Sequence, residues 1–316
     1  MKAAQLISYG TVEIKNIPEP VIELEKVLVE VHAAGVNPFD WKIRSGAFAK
    51  MIPLTLPVTM GGDFSGTVKD PGTSGLKKGD EVYGQGHILA GNSGSFAATL
   101  LVNIKNIARK PSKLSYEEAG ALPLVGASAV QALIDTMHLA RGMRILVHGG
   151  AGGIGSIAIQ IAKHLGATVA TTVATGDVSF VQGLGADLAI DYTADKFEEV
   201  LSGKAGSGSA GEDYDAVFDT VGGDVYRQSF KVLSKGGVIV SMLEQPNKEL
   251  MDEYDVKAIS QSTEVTTERL AKLAAFADEG VISVRVDKTF SLDEVGPALN
   301  YLESGHPKGK VVIKIK

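Results

Sequence analysis

The chain of 316 residues contains no cysteine. That absence excludes disulfides, thiolate metal sites and a thiol nucleophile, although it assigns no compartment by itself. Positive charge is also in short supply: 31 Lys and Arg against 37 Asp and Glu leave a formal net charge of -6. A generic binder of nucleic acid or of an anionic membrane is more often basic, so neither is expected as a main partner, a local basic patch aside. No apolar stretch approaches the roughly 20 residues that span a bilayer. The opening run MKAAQLISYG has one lysine and no long apolar core, and does not read as a secretory signal. The expectation is a soluble, cytoplasmic protein. His32, His87, His138, His164 and His306 are scattered without ligand spacing, so no metal site is expected. There is no Gly-x-Ser-x-Gly and no evident nucleophile constellation.

What is present is ordinary for a globular protein, 44% hydrophobic and 22% charged, and the length suffices for two cores. Residues 1–114 read as an irregular, mostly antiparallel β domain. Strand candidates at Val27–Val31, Glu81–Tyr83 and Phe96–Val102 are interrupted by turn signals at Pro18, Pro20, Pro53, Pro57, Pro71-Gly72 and Lys78-Gly79-Asp80. The texture changes at Ser115, where Ser115-x-x-Glu118 forms a capping-box pattern. Pro123 interrupts it, and a helix is expected from about Gly126 to Leu139. Beyond that, strands (Arg144–Val147, Thr168–Thr172, Ala186–Ile190, Asp215–Phe218, Val238–Ser241) alternate with helices, the pattern of a doubly wound parallel sheet. Ser202–Asp213 is small and polar and reads as a surface loop. A final strand, Lys310–Ile315, is expected to return to the first domain. The expected division is 1–114 with 282–316, and 115–281.

The strongest local signal is RILVHGGAGGIGSIAIQIAKHLGATV, Arg144–Val169. Gly150, Gly152 and Gly155 satisfy G-x-G-x-x-G between a strand and a helix, the context in which the motif has a mechanism. The first glycine allows the turn, the second lets backbone approach a pyrophosphate, and the third lets the helix pack. Ala151, Gly153 and Ile154 complete the loop whose N–H groups and helix dipole would face the phosphates. The plain alternative is a glycine-rich turn without a ligand. NAD-selective sites carry an acid at the end of the second strand; here ATVATTVATG has none. Thr172 and Thr175 offer hydroxyls to a 2′-phosphate, yet no Lys or Arg lies between Lys163 and Lys196, and Asp177 stands close by. NADPH is expected, with NADH possible. Tyr192, Ser241 and Lys310 complete the expected cofactor contacts.

Several blocks in one order carry a resemblance that spans nearly the whole chain: GVNPFDWKIRSG (Gly35–Gly46), MGGDFSGTV (Met60–Val68), GDEVYG (Gly79–Gly84), EEAGALPLVGASAVQAL (Glu117–Leu133), VFDTVGG (Val217–Gly223) and GKVVIKI (Gly309–Ile315). Together with the glycine loop they are similar to the quinone oxidoreductases, zinc-independent members of the medium-chain dehydrogenase/reductase superfamily. The resemblance implies a GroES-like β domain joined to a Rossmann domain, and a homodimer formed through Rossmann sheet edges, here expected at Val238–Ser241 and the segment after it. Zinc-dependent relatives use a Cys near the position of Asn37 and a His near Gly62. Without such a Lewis acid, alcohol oxidation near neutral pH is difficult, whereas reducing an electron-poor C=C or a quinone needs no alkoxide.

The resemblance implies that Asn37 hydrogen-bonds near the nicotinamide or the substrate oxygen; its bland alternative is an Asx turn before Pro38. It places Ser128 where the family often has a Thr near the nicotinamide carboxamide; a packing serine is the alternative. Asp40 joins these two as a catalytic candidate, although an i,i+4 ion pair with Arg44 on a short helix is the simpler reading. Trp41, Arg44 and Phe48 are candidates for the substrate pocket, with core packing as the alternative for the aromatics. His148 is expected to support the glycine loop. The expected activity is hydride transfer from NADPH or NADH to a quinone or α,β-unsaturated carbonyl. A dinucleotide-binding redox sensor or structural protein with little turnover is the alternative.

Overall fold

The computed structural model describes residues 1–51, 53–86, 88, 93–202, 213–305 and 307–316. Most of the Ser202–Asp213 loop reading, and two of the scattered histidines (His87 and His306), therefore lie outside the described residues. The chain forms two compact units, Met1–Ala127 with Val265–Lys316, and Ser128–Glu264.

The first unit is a β domain organised around one strand, Lys26–Val36. Its first half pairs antiparallel with Thr99–Asn103, its middle with Asp63–Asp70, and its end with the C-terminal strand Lys310–Lys314. The strand feeds two cores. Val27, Val29 and Val31 pack with Phe64, Val82 and Leu100. Ala34 and Val36 belong instead with Leu6, Ile43, Met60, Phe96 and Val311. The change of core coincides with a register shift between Val31 and Ala33, as expected when a bulge re-aims the side chains that follow it. The return of the last strand to this unit makes the unit discontinuous in sequence.

The second unit contains six parallel strands in the spatial order Leu188–Asp191, Thr168–Val173, Arg144–His148, Tyr214–Asp219, Leu233–Ser241, Lys257–Ser260. Numbered along the chain this is 3-2-1-4-5-6, the order of a dinucleotide-binding sheet, with its switch point beside Arg144–His148. Near-continuous apolar strands such as ILV and AVF suit a sheet covered on both faces; Leu146, Val217 and Ile239 are fully buried.

The structure departs from the sequence expectations in four places. Pro123 opens the helix Pro123–Val130 rather than preceding one, because a proline in the first turn loses no hydrogen bond there. The strand Lys257–Ser260, not foreseen, covers Val238–Ser241, so the expected dimer edge is interior and Lys257–Ser260 is outermost. The helix Tyr116–Ala121, with the Ser115–Glu118 capping box formed, packs on the first unit's sheet; a Cβ on Gly35 would lie 2.6 Å from the Gly120 carbonyl oxygen. The helix Thr267–Asp278 also belongs to that unit, where Thr267 Oγ1 donates to the Ile104 and Ile107 carbonyls. Chain texture marks where helices begin; it does not mark which core they join. Among the described residues no helix is long and apolar enough to cross a membrane.

Candidate active site

In the second unit the strand Arg144–His148 runs into the glycine loop and the helix Gly153–His164. The positive φ of the turn falls on Gly149 (72°), just before the motif, and not on Gly150. Gly150 is needed for a different reason: a Cβ there would lie 2.1 Å from Thr171 Oγ1. A Cβ on Gly155 would lie 2.3 Å from the Gly149 carbonyl oxygen, so the third glycine lets the helix meet the loop. Gly152 is exposed, and a Cβ there meets only the Gly149 oxygen, at 3.2 Å. Its glycine is thus not demanded by packing within the protein. The first intrahelical bond is Ser156 N to the Gly152 carbonyl, which leaves the N–H groups of Gly153, Ile154 and Gly155 ahead of it. With no acid in the first turn, these N–H groups could hold an anion. The residues present fit a pyrophosphate, with Ala151 at the loop's tip.

Beneath the loop, His148 is fully buried between Thr172 Oγ1 (3.0 Å from Nδ1) and Ser229 Oγ (2.9 Å from Nε2). Burial pushes its pKa down to about 4 against the pull of Asp219, so the ring is neutral, held between the two hydroxyls. The Thr172 hydroxyl also faces the Gly149 N–H at 3.4 Å, which commits it inward rather than to a 2′-phosphate. Thr175 lies 3.1 Å from Thr193 Oγ1, which in turn donates to Asp191 at 2.6 Å. Asp191, missed in the sequence because it ends the third strand and not the second, pairs in register with Val173. Hydrogen bonds from Thr175 and Thr193 hold its carboxyl below the usual range. Tyr192 beside it is 59% exposed. Ser241 is fully buried, donating to Asp219 Oδ2 at 2.7 Å and accepting from the Leu243 and Glu244 N–H groups. That hydroxyl shapes the end of the fifth strand. Ser128 is also fully buried, with Oγ 2.7 Å from Thr263 Oγ1. Its carbonyl accepts from Gln261 Nε2, an anchoring that leaves Gln261 Oε1 buried without a hydrogen-bond partner among the described residues. Gln261 follows the unforeseen strand, and nothing in its local sequence marks it.

In the first unit four strand ends converge. Val36 pairs with Val311, which sets Lys310 opposite Asn37; Asp63 pairs directly with Gln85. Asn37 then caps the helix Pro38–Ser45 in extended conformation, with proline at the first position. Asp40 Oδ2 accepts the Asn37 backbone N–H at 2.7 Å. The Asn37 carboxamide is engaged at both ends: Nδ2 donates to Asp63 Oδ2 at 2.9 Å, and Lys310 Nζ donates to Oδ1 and to the Val36 carbonyl. Asp63 also accepts from Gln85 Nε2 at 3.1 Å and from the Leu124 N–H at 3.1 Å. All of Asn37, Asp40, Asp63 and Lys310 are buried. Burial pushes Asp40 up to about 7 and Asp63 upward, and pushes Lys310 downward, with the ammonium and the two carboxylates each opposing that effect on the other.

Lys310, expected among the cofactor contacts, is thus found under Asn37 in the β unit. The expected Asp40–Arg44 pair does not form: Arg44 donates to Asn300 Oδ1 at 2.7 Å and pairs with Glu303, residues some 256 positions away that local spacing cannot reveal. Phe48 stacks on Phe39 with ring centroids 5.6 Å apart, and Trp41 is half-buried against the same core. Asp63 and Gln85 were not singled out in the sequence. The signal was present in Asp63, a carboxylate inside the apolar block MGGDFSGTV. Among the described residues no group of three or more His, Cys, Asp or Glu is placed to hold a metal ion.

The sheet order and glycine loop define a nicotinamide-dinucleotide oxidoreductase architecture, with a β domain carrying a buried amide and ammonium. Residues 23–112 match the family model described as an alcohol dehydrogenase GroES-like domain, and residues 184–313 the one described as a zinc-binding dehydrogenase. The chain is 38% identical to a 2-methylene-furan-3-one reductase of Solanum lycopersicum and 36% identical to an NADPH-dependent alkenal/one oxidoreductase, chloroplastic, of Arabidopsis thaliana. Each alignment covers 99% of this chain and 79% of the relative. The quinone oxidoreductase from Coxiella burnetii superposes with a TM-score of 0.88 at 32% identity, over 100% of this chain and 99% of that one. The chain belongs to the quinone oxidoreductase-like, zinc-independent family of the medium-chain dehydrogenase/reductase superfamily.

Proposed function

We propose that the protein reduces quinones or α,β-unsaturated carbonyls with hydride from NADPH. The nicotinamide supplies the hydride when bound; the chain supplies binding, orientation and a polar environment for the acceptor. The N–H groups of Gly153, Ile154 and Gly155 hold the pyrophosphate. Ser128 and Gln261 Oε1, which has no hydrogen-bond partner among the described residues, receive the nicotinamide carboxamide, whose N–H matches that acceptor. Trp41 and Phe48 form apolar wall. The observation that carries the reading is the buried Asn37–Asp63–Lys310 cluster: it offers an amide donor to a carbonyl oxygen and has no thiolate to hold a Lewis-acid zinc that would stabilise an alkoxide. The printed names of the two plant relatives describe the same chemistry.

NADPH is the proposed cofactor, with the Asp191 carboxylate beside Thr175 keeping the preference over NADH small. A homodimer through the outermost strand Lys257–Ser260 and a cytoplasmic location belong to the same reading. The dimer is supported by the open sheet edge; the location is tested by fractionation, since relatives include chloroplastic and mitochondrial proteins. The deciding experiment is absorbance at the nicotinamide band with purified protein, NADPH or NADH, and panels of quinones, alkenals and enones. Catalytic oxidation dependent on acceptor is expected. Tight binding without oxidation for every acceptor would instead favour a dinucleotide sensor or a structural protein.

A further inference from the structure

A lysine ammonium can only donate hydrogen bonds, and an ionised carboxylate can only accept them. The Asn37 carboxamide lies between one of each, with Oδ1 on Lys310 Nζ and Nδ2 on Asp63 Oδ2. Reversing the amide would set its N–H groups against an ammonium and its oxygen against a carboxylate. Its orientation is therefore dictated by chemistry. Asp63 is itself fixed by Gln85 Nε2 and the Leu124 N–H, and Lys310 by the Val36 carbonyl. No direct ion pair of 4 Å or less joins Asp63 and Lys310 among those described; the amide of Asn37 is the bridge between them.

Resting on the reading above, we propose that Asp63 and Lys310 are positioning residues that lock the Asn37 carboxamide so that its second Nδ2 hydrogen is presented to the oxygen of the quinone or enone acceptor. Asn37 bears on the reacting molecule; Asp63 and Lys310 act through it. The same arrangement gives a role to one buried carboxylate, Asp63, and one buried ammonium, Lys310, since a charged partner fixes which end of an amide faces it and an apolar group would not.

The test is a double-mutant cycle together with a spectrum. Asp63→Asn alone leaves the buried Lys310 ammonium without the opposing charge of Asp63 and risks misfolding, so the perturbation is Asp63→Asn with Lys310→Met, which removes one buried charge of each sign. In wild-type background it should lower kcat with an enone by roughly 10- to 100-fold, with the KM for NADPH within about threefold. In an Asn37→Ala background the same pair should change kcat by less than about threefold, because nothing remains to be positioned. A full additive loss in that background would show a merely structural role and overturn the proposal. The second readout needs no turnover. The Asn37 side-chain amide, assigned by its loss in Asn37→Ala, should give two well-separated proton resonances in 15N-resolved NMR. One, on Asp63, should be shifted downfield, and the other should move when a non-reducible carbonyl compound is added. In the paired variant the separation should collapse. An amide pair unaffected by the charge removal, or by the carbonyl compound, sinks the inference. Failure of the parent reading is seen separately, as wild-type protein that binds NADPH but oxidises it with none of the acceptors, while the spectrum still decides whether Asp63 and Lys310 hold Asn37.

Discussion

Asp40→Asn should stabilise the protein above neutral pH, although Asp40 is buried and hydrogen-bonded. Its carboxyl rises from 3.8 to about 7, chiefly through burial, helped by Asp63 and opposed by the Asn37 N–H and by Lys310. A raised pKa means that the folded state binds the proton more tightly than the unfolded state. The associated stability is fully present below pH 3.8 and is lost as pH rises through about 7, above which the ionised group is carried at full penalty. Three units correspond to roughly 4 kcal/mol at about 1.4 kcal/mol per unit, an upper bound because Lys310 and solvent relaxation respond to the charge. Asparagine removes the charge and keeps an oxygen for the Asn37 N–H, 2.7 Å away in the native protein. Between pH 5 and pH 8 the stability of Asp40→Asn relative to wild type should therefore rise by up to about 3 kcal/mol, or several degrees in Tm. Calorimetric scans of both proteins at half-unit intervals test this, with most of the change complete by pH 7.5. A difference in Tm that does not vary with pH, or one that falls as pH rises, would refute the reasoning.

Three further outcomes follow from the geometry. Gly152→Val should fold and lose NADPH affinity by at least about tenfold, roughly 1.4 kcal/mol, whereas Gly150→Ala and Gly155→Ala, whose Cβ atoms collide with the protein itself, should lower Tm first; calorimetry with and without cofactor separates them. Asp191→Asn should raise the NADPH:NADH preference by roughly threefold to tenfold in kcat/KM by removing a like charge near a 2′-phosphate; an unchanged ratio would place the phosphate away from Thr175. Ala258→Pro, on the outermost strand, should convert a dimer to a monomer in light scattering, since proline removes an edge donor; wild-type protein that is already monomeric excludes this edge as an interface.

Much of the fold was legible because its signals are local. The glycine loop lies within one strand–turn–helix, and Ser115–Glu118 caps its helix from three residues away. The parallel sheet follows from apolar strands alternating with helices. The site was less legible because its partners are distant. Lys310 reaches Asn37 from 273 positions away, and Arg44 is taken from Asp40 by Asn300 and Glu303 on another helix. Thr172 looked like a phosphate contact in a Thr-rich strand, but strand pairing with Arg144–His148 turned its hydroxyl to His148. Even in the loop, the motif's spacing did not show that Gly149 supplies the left-handed turn, because a neighbouring glycine hides which of the two is strained.

The central claim is that hydride passes from the dinucleotide to carbon or quinone oxygen of an acceptor, and isotope transfer measures that directly. Purified protein would be given NADPH stereospecifically deuterated at C4, in two separate preparations with opposite labels, together with a simple enone, and the product examined by mass spectrometry and NMR. One deuterium at the β-carbon of the saturated ketone, from one preparation and not the other, is the result predicted. Unreduced enone with NADPH still bound, or product carrying no label from either preparation, would contradict the account.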